Sequence, residues 1–317
     1  MKVVVTRALP PATLAPLAPL GDVWVSPHDR PLRAEELRDA VRGADAIVSM
    51  LNDRIDDDVL SAAGGRLQVV ANTAVGYDNL DVAAIARHGA VATNTPGVLV
   101  DATADLTMAL LLDVTRRVSE GDRLVRSGQS WSWDIGFMLG TGLQGKQLGI
   151  IGMGHIGRAV AARAAAFGMN VAYHARRDRD GDLGRRVPLE ELLATSDVVS
   201  LHCPLTADTR HLIDAAALAR MKAGAYLVNT ARGPIVDEDA LAQALGAGVI
   251  AGAALDVYEH EPEVHPRLRE VTNVVLAPHL GSATVETRTR MAELAVENVV
   301  GVLVGGGPIT PIAVPSR

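Results

Sequence analysis

Short runs of aliphatic and β-branched residues recur along the chain, separated by stretches in which apolar positions follow helical spacing. Early strands are predicted at Val3–Val5, Val23–Val25, Ala46–Ser49, Val69–Ala71 and Val91–Thr93, with helices such as Ala34–Val41 and Val82–His88 between them. From Asp101 the text "DATADLTMALLLDVTRRVSEGDRLV" predicts one long helix, longer than an ordinary crossover. A Trp- and Gly-rich loop, "GQSWSWDIGFMLGTGLQGK", follows it. A second alternating series then gives strands at Leu148–Ile151, Asn170–Tyr173, Val198–Leu201, Ala225–Asn229, Ile250–Leu255 and Val274–Leu276. A last helix runs from Val285 to about Leu303. Near-continuous apolar strands alternating with helices predict an α/β protein with two doubly wound parallel sheets. The last helix is expected to cross back onto the first unit. The expected domains are therefore 1–98 with 284–317, and 99–283.

Composition supports that class. Of 317 residues, 48% are hydrophobic, 21% charged and only 3% aromatic, so the core must be built from Val, Leu, Ile and Ala. A net charge of −7 argues against general attraction to nucleic acid or to an anionic membrane. No apolar run reaches the ~18 residues of a membrane span, and the opening "MKVVVTRALP" lacks the form of a signal peptide. A single cysteine, Cys203, excludes an intramolecular disulfide and fits a cytoplasmic location.

The strand at Leu148–Ile151 opens the stretch "LGIIGMGHIGRAVAARAAAFG", in which Gly152, Gly154 and Gly157 have G-x-G-x-x-G spacing. The first glycine permits a tight turn and the second lets a pyrophosphate approach the backbone. The third allows helix and strand to pack closely, while the helix N-terminus at His155 and Ile156 favours negative charge. A dinucleotide is the expected ligand. At the tip of the next strand an acid would bind the ribose 2′-hydroxyl of NAD, but Ala175 stands there, followed by Arg176 and Arg177. Guanidinium groups suit the 2′-phosphate of NADP instead, so NADP(H) is expected to be preferred and NAD(H) to remain possible. A solvated turn is the competing account, because Asp178, Asp180 and Asp182 balance the arginines.

Further phrases follow: "LHCPLTADTRHLID", "MKAGAYLVNTARGPIVDEDAL", "AALDVYEHEP" and "LAPHLGSAT". With the glycine turn they resemble, in order and over nearly the whole chain, the D-isomer-specific 2-hydroxyacid dehydrogenases. The resemblance implies a flavodoxin-like substrate domain, a Rossmann cofactor domain and a catalytic Arg–Glu–His set at Arg232, Glu261 and His279. The chemistry asks for these types. Arginine's planar fork suits the carboxylate and carbonyl of a 2-oxo acid. Histidine suits proton delivery to a nascent alkoxide, and a neighbouring carboxylate orients such a ring. "YEHEP" offers Glu259 as well; the resemblance selects Glu261, which directly precedes the proline.

The resemblance also implies a substrate loop in "NTAVGYDNLD", with the backbone of Val75 and Gly76 beside the carboxylate, and Arg232 and His279 completing the substrate contacts. Around the dinucleotide it implies Thr107, Cys203, Pro204, Thr209, Thr230, Ala231, Gly281 and, for the carboxamide, Asp256. No metal is expected, since neither H-E-x-x-H nor Cys/His ligand spacing occurs. "DATADLTMALLL", "WSW" and "LGTGLQGKQLGIIGMGHIGRA" are most similar to the glyoxylate/hydroxypyruvate reductase branch, and Asp134 and Gly136 depart from it. A homodimer built on the long helix and the Trp-rich loop is implied by resemblance alone; Trp131 or Trp133 is expected in a core or an interface. Two alternatives remain: a family member acting on a bulkier or phosphoglycerate-type acid, and a dinucleotide-sensing protein similar to the corepressors of this fold.

Overall fold

Five aliphatic runs form the first sheet: β1 (Lys2–Val5), β2 (Asp22–Val25), β3 (Ala46–Ser49), β4 (Val69–Asn72) and β5 (Val91–Thr93). They alternate with α1 (Pro11–Leu14), α2 (Ala34–Ala40), α3 (Asp57–Ala63) and α4 (Val82–Arg87). In this computed structural model, which describes residues 1–176 and 183–314, every pairing in the sheet is parallel and the order is β2-β1-β3-β4-β5. Both faces are covered, which is why its strands read as unbroken apolar runs. Val4, Ile47 and Val70 pack under the helices on one face. Val3, Val5, Val48 and Ala71 pack against Ala295, Val296 and Val299 of the C-terminal helix, Val285–Leu303, on the other. Asp56 and Asp81 cap α3 and α4 by accepting from Val59 N at 3.3 Å and Ala84 N at 2.8 Å.

The second unit begins with α5 (Val100–Arg116) and α6 (Val118–Arg126). It continues through β6 (Gln147–Ile151), α7 (His155–Ala166), β7 (Asn170–His174), β8 (Arg185–Arg186), α8 (Leu189–Thr195) and β9 (Val198–Leu201). It closes with α9 (Ala215–Arg220), β10 (Tyr226–Asn229), α10 (Glu238–Gly246), β11 (Gly252–Leu255) and β12 (Val274–Leu276). This sheet is also parallel, in the order β12-β11-β10-β9-β6-β7-β8. Chain order reverses at β6, so the crevice beyond the carboxyl ends of β6 and β9 is where such a sheet takes a ligand. By contacts the chain divides into residues 1–99 with those from Thr284 onward, and Val100–Ala283.

One expected element is split. The helix from Asp101 breaks at Arg117, which adopts a left-handed φ of 59°. Asp113 makes the break: one carboxylate oxygen accepts from Ser119 N at 2.7 Å and the other from the Ser119 hydroxyl, starting α6 afresh. The edge strand β8 was not foreseen, because a pair of arginines carries no apolar signal. Trp131 stacks on Phe137 with centroids 5.7 Å apart, and Trp131 and Trp133 are both exposed, so neither belongs to a core. No described helix is long and apolar enough to cross a membrane.

Candidate active site

At the switch point of the second sheet, the three glycines of the turn have different reasons for being glycine. A Cβ on Gly152, at φ 99°, would lie 2.5 Å from Cys203 N, and one on Gly157 would lie 2.2 Å from Gly152 O. The protein's own packing forbids a side chain at both. Gly154 differs: an added Cβ would meet nothing within 4 Å, and its backbone is ordinary extended chain. The open space it leaves faces the start of α7, whose first amides have no acceptor within the helix. A pyrophosphate fits that cradle, so the residues present suit a dinucleotide.

Past β7, Ala175 is followed by Arg176, and Arg177 lies outside the described residues. A second guanidinium reaches this corner from β8. Arg186 donates from Nε and Nη2 to Ala175 O at 3.2 and 2.9 Å, and from Nη2 to Arg176 O at 3.2 Å. It ties down the carbonyls at the strand tip and adds positive charge there.

The loops after β10, β11 and β12 bring the acid–base residues together. His279 Nδ1 lies 2.7 Å from Glu261 Oε2, both side chains being partly exposed. Glu261 Oε1 accepts from Tyr258 N at 3.0 Å, and His279 N donates to Asp256 O at 2.8 Å. The imidazole is thus held through its Nδ1, and Nε2 has no hydrogen-bond partner among the described residues. His279 itself is left-handed, with φ 55°. Such a conformation is uncommon for a residue with a side chain. Glu259 takes a different partner, His211 Nε2 at 2.5 Å, so the two glutamates of "YEHEP" serve two separate imidazoles. Arg232 lies in extended backbone after β10; its carbonyl accepts from Asn229 Nδ2 at 2.9 Å and its Nη1 donates to Ala231 O at 2.8 Å.

The sequence profile of the D-isomer specific 2-hydroxyacid dehydrogenase, NAD binding domain, matches residues 108–281. A glyoxylate reductase of Aeropyrum pernix is 50% identical over 317 residues, covering 97% of this chain and 94% of its own. The chain belongs to the D-isomer specific 2-hydroxyacid dehydrogenases. It is a NAD(P)-dependent oxidoreductase. A crystal structure of a protein from Thermus thermophilus superposes on this dehydrogenase with a TM-score of 0.94 at 47% identity, covering 99% of this chain and 100% of the other. An NADPH-dependent glyoxylate/hydroxypyruvate reductase from Sinorhizobium meliloti, in complex with NADP and malonate, gives 0.86 at 33% identity, with 98% and 96% covered.

The remaining expected site residues of the dehydrogenase fall into two groups. Thr107 and Thr230 are buried and face each other, their hydroxyls 2.8 Å apart. Because Thr107 donates to Thr103 O at 2.8 Å, Thr230 is the donor between them. Asp256 is buried, its oxygens accepting from Leu280 N at 2.6 Å and Gly281 N at 2.8 Å. Burial raises its pKa above the usual carboxylate range, against the pull of those two N–H groups and of His279. Thr209 is spent on its own loop, donating to Pro204 O at 2.7 Å and accepting from Thr206 N at 2.8 Å. Cys203 is partly buried beside Gly152, and burial pushes its thiol up to about 11. In the first unit, the carbonyls of Val75 and Gly76 are tied inward by Asn94 Nδ2 at 2.8 Å and Asn72 Nδ2 at 3.0 Å. Their amides donate to no described residue, leaving two N–H groups available to an anion.

Sequence reasoning missed Arg186, Tyr258, the two asparagines and Gly233. A Cβ on Gly233 would sit 1.8 Å from the Tyr258 carbonyl carbon, which lies 25 residues further on (258 − 233). No local pattern announces a clash of that kind. A cavity of about 210 Å³ lined by Asp113, Arg117, Tyr226 and Asn273 lies at the amino ends of β10–β12. That is the opposite end of the sheet from this chemistry. Among the described residues no His, Cys, Asp and Glu cluster is suited to a metal.

Proposed function

We propose that this dehydrogenase is an NADPH-preferring reductase of small 2-oxo acids, glyoxylate and hydroxypyruvate, giving the hydroxy acid of D configuration where a stereocentre forms. Residues 100–283 serve as the dinucleotide domain and the other unit as the substrate domain. The observation that carries the proposal is the 2.7 Å contact between His279 Nδ1 and Glu261 Oε2. It turns Nε2 into the ring's working atom. A bound nicotinamide supplies the hydride. His279 Nε2 gives its proton to the carbonyl oxygen as that oxygen becomes an alkoxide, and takes it back in oxidation. Glu261 fixes the ring's orientation and stabilises the imidazolium. Arg232 binds the substrate carboxylate and polarises the ketone, and the amides of Val75 and Gly76 complete the carboxylate site.

The cofactor preference draws on the missing carboxylate at Ala175, on Arg176 with Arg177 in sequence, and on Arg186 from β8. The Sinorhizobium relative's NADPH dependence agrees with it. His155, Ile156 and the three glycines hold the pyrophosphate. Cys203, Pro204, Thr230, Ala231, Asp256 and Gly281 border the remainder, with Thr107 and Thr209 acting through their neighbours. The enzyme is cytoplasmic and a homodimer, its exposed Val118, Val125, Trp133, Ile135 and Leu139 forming the contact. NADPH oxidation measured with glyoxylate, hydroxypyruvate and bulkier 2-oxo acids tests the proposal. Turnover should be highest with the two small acids. No turnover with any of them would identify a dinucleotide-sensing binding protein instead.

A further inference from the structure

Two residues before Glu261, a second imidazole–carboxylate pair holds the same loop. Glu259 Oε1 lies 2.5 Å from His211 Nε2; the glutamate side chain is mostly buried and the histidine more open. Glu259 also exchanges bonds with the first residue of α10. Its amide donates to Glu238 Oε1 at 2.7 Å, and its Oε2 accepts from Glu238 N at 3.4 Å. His211, left-handed at φ 50°, donates its own amide to Pro234 O at 2.8 Å. Between these contacts Gly233 has no room even for a methyl group, because Tyr258 and Glu259 backbone atoms occupy it. Three chain segments far apart in sequence therefore meet in one place: the loop carrying His211, the strand exit carrying Arg232, and the loop carrying Glu261.

We infer that His211, Glu259 and Glu238 form a latch that sets the position of Arg232 relative to Glu261. This rests on the Arg–Glu–His assignment above. The three are positioning residues, acting through the backbone they join. Backbone packing at Gly233 keeps the segments in contact. Beyond the paired ends of β10 and β11, the directional bonds of Glu259, two to the α10 residue and one to His211, hold the loops in place. A carboxylate–imidazole geometry is sensitive to shifts of a fraction of an ångström, and misplacement by about 1 Å costs on the order of a hundredfold in rate.

The test uses the whole enzyme with NADPH and glyoxylate, comparing Glu259→Ala, His211→Asn, Glu259→Gln and Glu261→Gln. Asparagine tolerates the left-handed backbone at His211 but is too short to reach Glu259. Glu259→Ala and His211→Asn should lower kcat and raise the 2-oxo acid KM, reducing kcat/KM by about tenfold to a hundredfold. Dinucleotide affinity, read by fluorescence titration, should stay within about twofold. Glu259→Gln should recover most of the loss, since its amide oxygen still accepts from His211 or from Glu238 N. Wild-type kcat and KM in Glu259→Ala and His211→Asn would overturn the latch. So would an equal loss of dinucleotide affinity, which marks general loosening. Should Glu259→Ala not fold, His211→Asn at its more open site decides alone. Glu261→Gln separates the two levels: if it turns over normally, the Arg–Glu–His assignment fails, whereas loss there with normal Glu259→Ala and His211→Asn removes only the latch.

Discussion

At Ala175 a methyl group stands at the strand tip where a NAD site carries a carboxylate; the Arg186 guanidinium binds its carbonyl, and Arg176 follows it in the chain. A charge-assisted hydrogen bond is worth about 1.5–3 kcal/mol, or about ten- to a hundredfold in affinity. Arg176→Ala and Arg186→Ala should each raise the KM for NADPH by a factor in that range and leave the NADH value nearly unchanged. Steady-state titration with both cofactors checks this, and parallel losses would contradict the assignment. Arg176 was singled out from the sequence because its place after the strand has a chemical meaning. Arg186 was not, because it arrives ten residues later on an edge strand set by backbone pairing with Ala172 and Tyr173. At Cys203, burial raises the pKa to about 11. A higher pKa means less thiolate at any lower pH. At neutral pH its alkylation by iodoacetamide should therefore be slower than a free thiol's by on the order of a hundredfold, rising steeply above roughly pH 10.

Among the elements, Asp45 joins three strand entries of the first sheet. It accepts from Lys2 N at 2.7 Å at the start of β1 and from Arg66 Nη2 at 3.1 Å ahead of β4, and is itself buried just before β3. Burial raises its pKa, but the Lys2 N–H and the Arg66 guanidinium outweigh that and hold it below the usual carboxylate range. A depressed folded pKa adds stability that is present above the unfolded value, ~3.9, and is lost as pH falls through the folded one. Asp45→Asn should therefore cost about 1–2 kcal/mol at neutral pH, with a smaller deficit at roughly pH 3, below the unfolded value. Urea unfolding of both proteins at the two pH values measures it; an equal deficit at both would contradict the charge account. Apolar runs made most elements of both sheets legible. The break at Arg117 was hidden because it rests on Asp113 reaching Ser119, with no glycine or proline to announce it.

For the whole molecule, parallel sheets with helices on both faces follow from strand runs without polar alternation, and the separate cores of the two sheets bear this out. The geometry of the candidate site was legible where chemistry and spacing coincide, as at the glycine turn and in the pairing of His279 with Glu261. It was hidden where distant backbones collide, as at Gly233 and Tyr258. In the proposed homodimer the exposed apolar residues of α6 and of the following loop, Trp133 at 77% and Ile135 at 87% exposed, would form the subunit contact. Trp133→Glu with Ile135→Glu should turn a dimer into monomers in sedimentation velocity; a monomeric parent protein would contradict the assembly. The central claim is that His279, oriented by Glu261, delivers the proton to the substrate oxygen, and His279→Asn tests it most directly. With saturating NADPH and glyoxylate, kcat should fall by about 100- to 10,000-fold while the NADPH dissociation constant holds. Turnover at the parent rate would contradict the account.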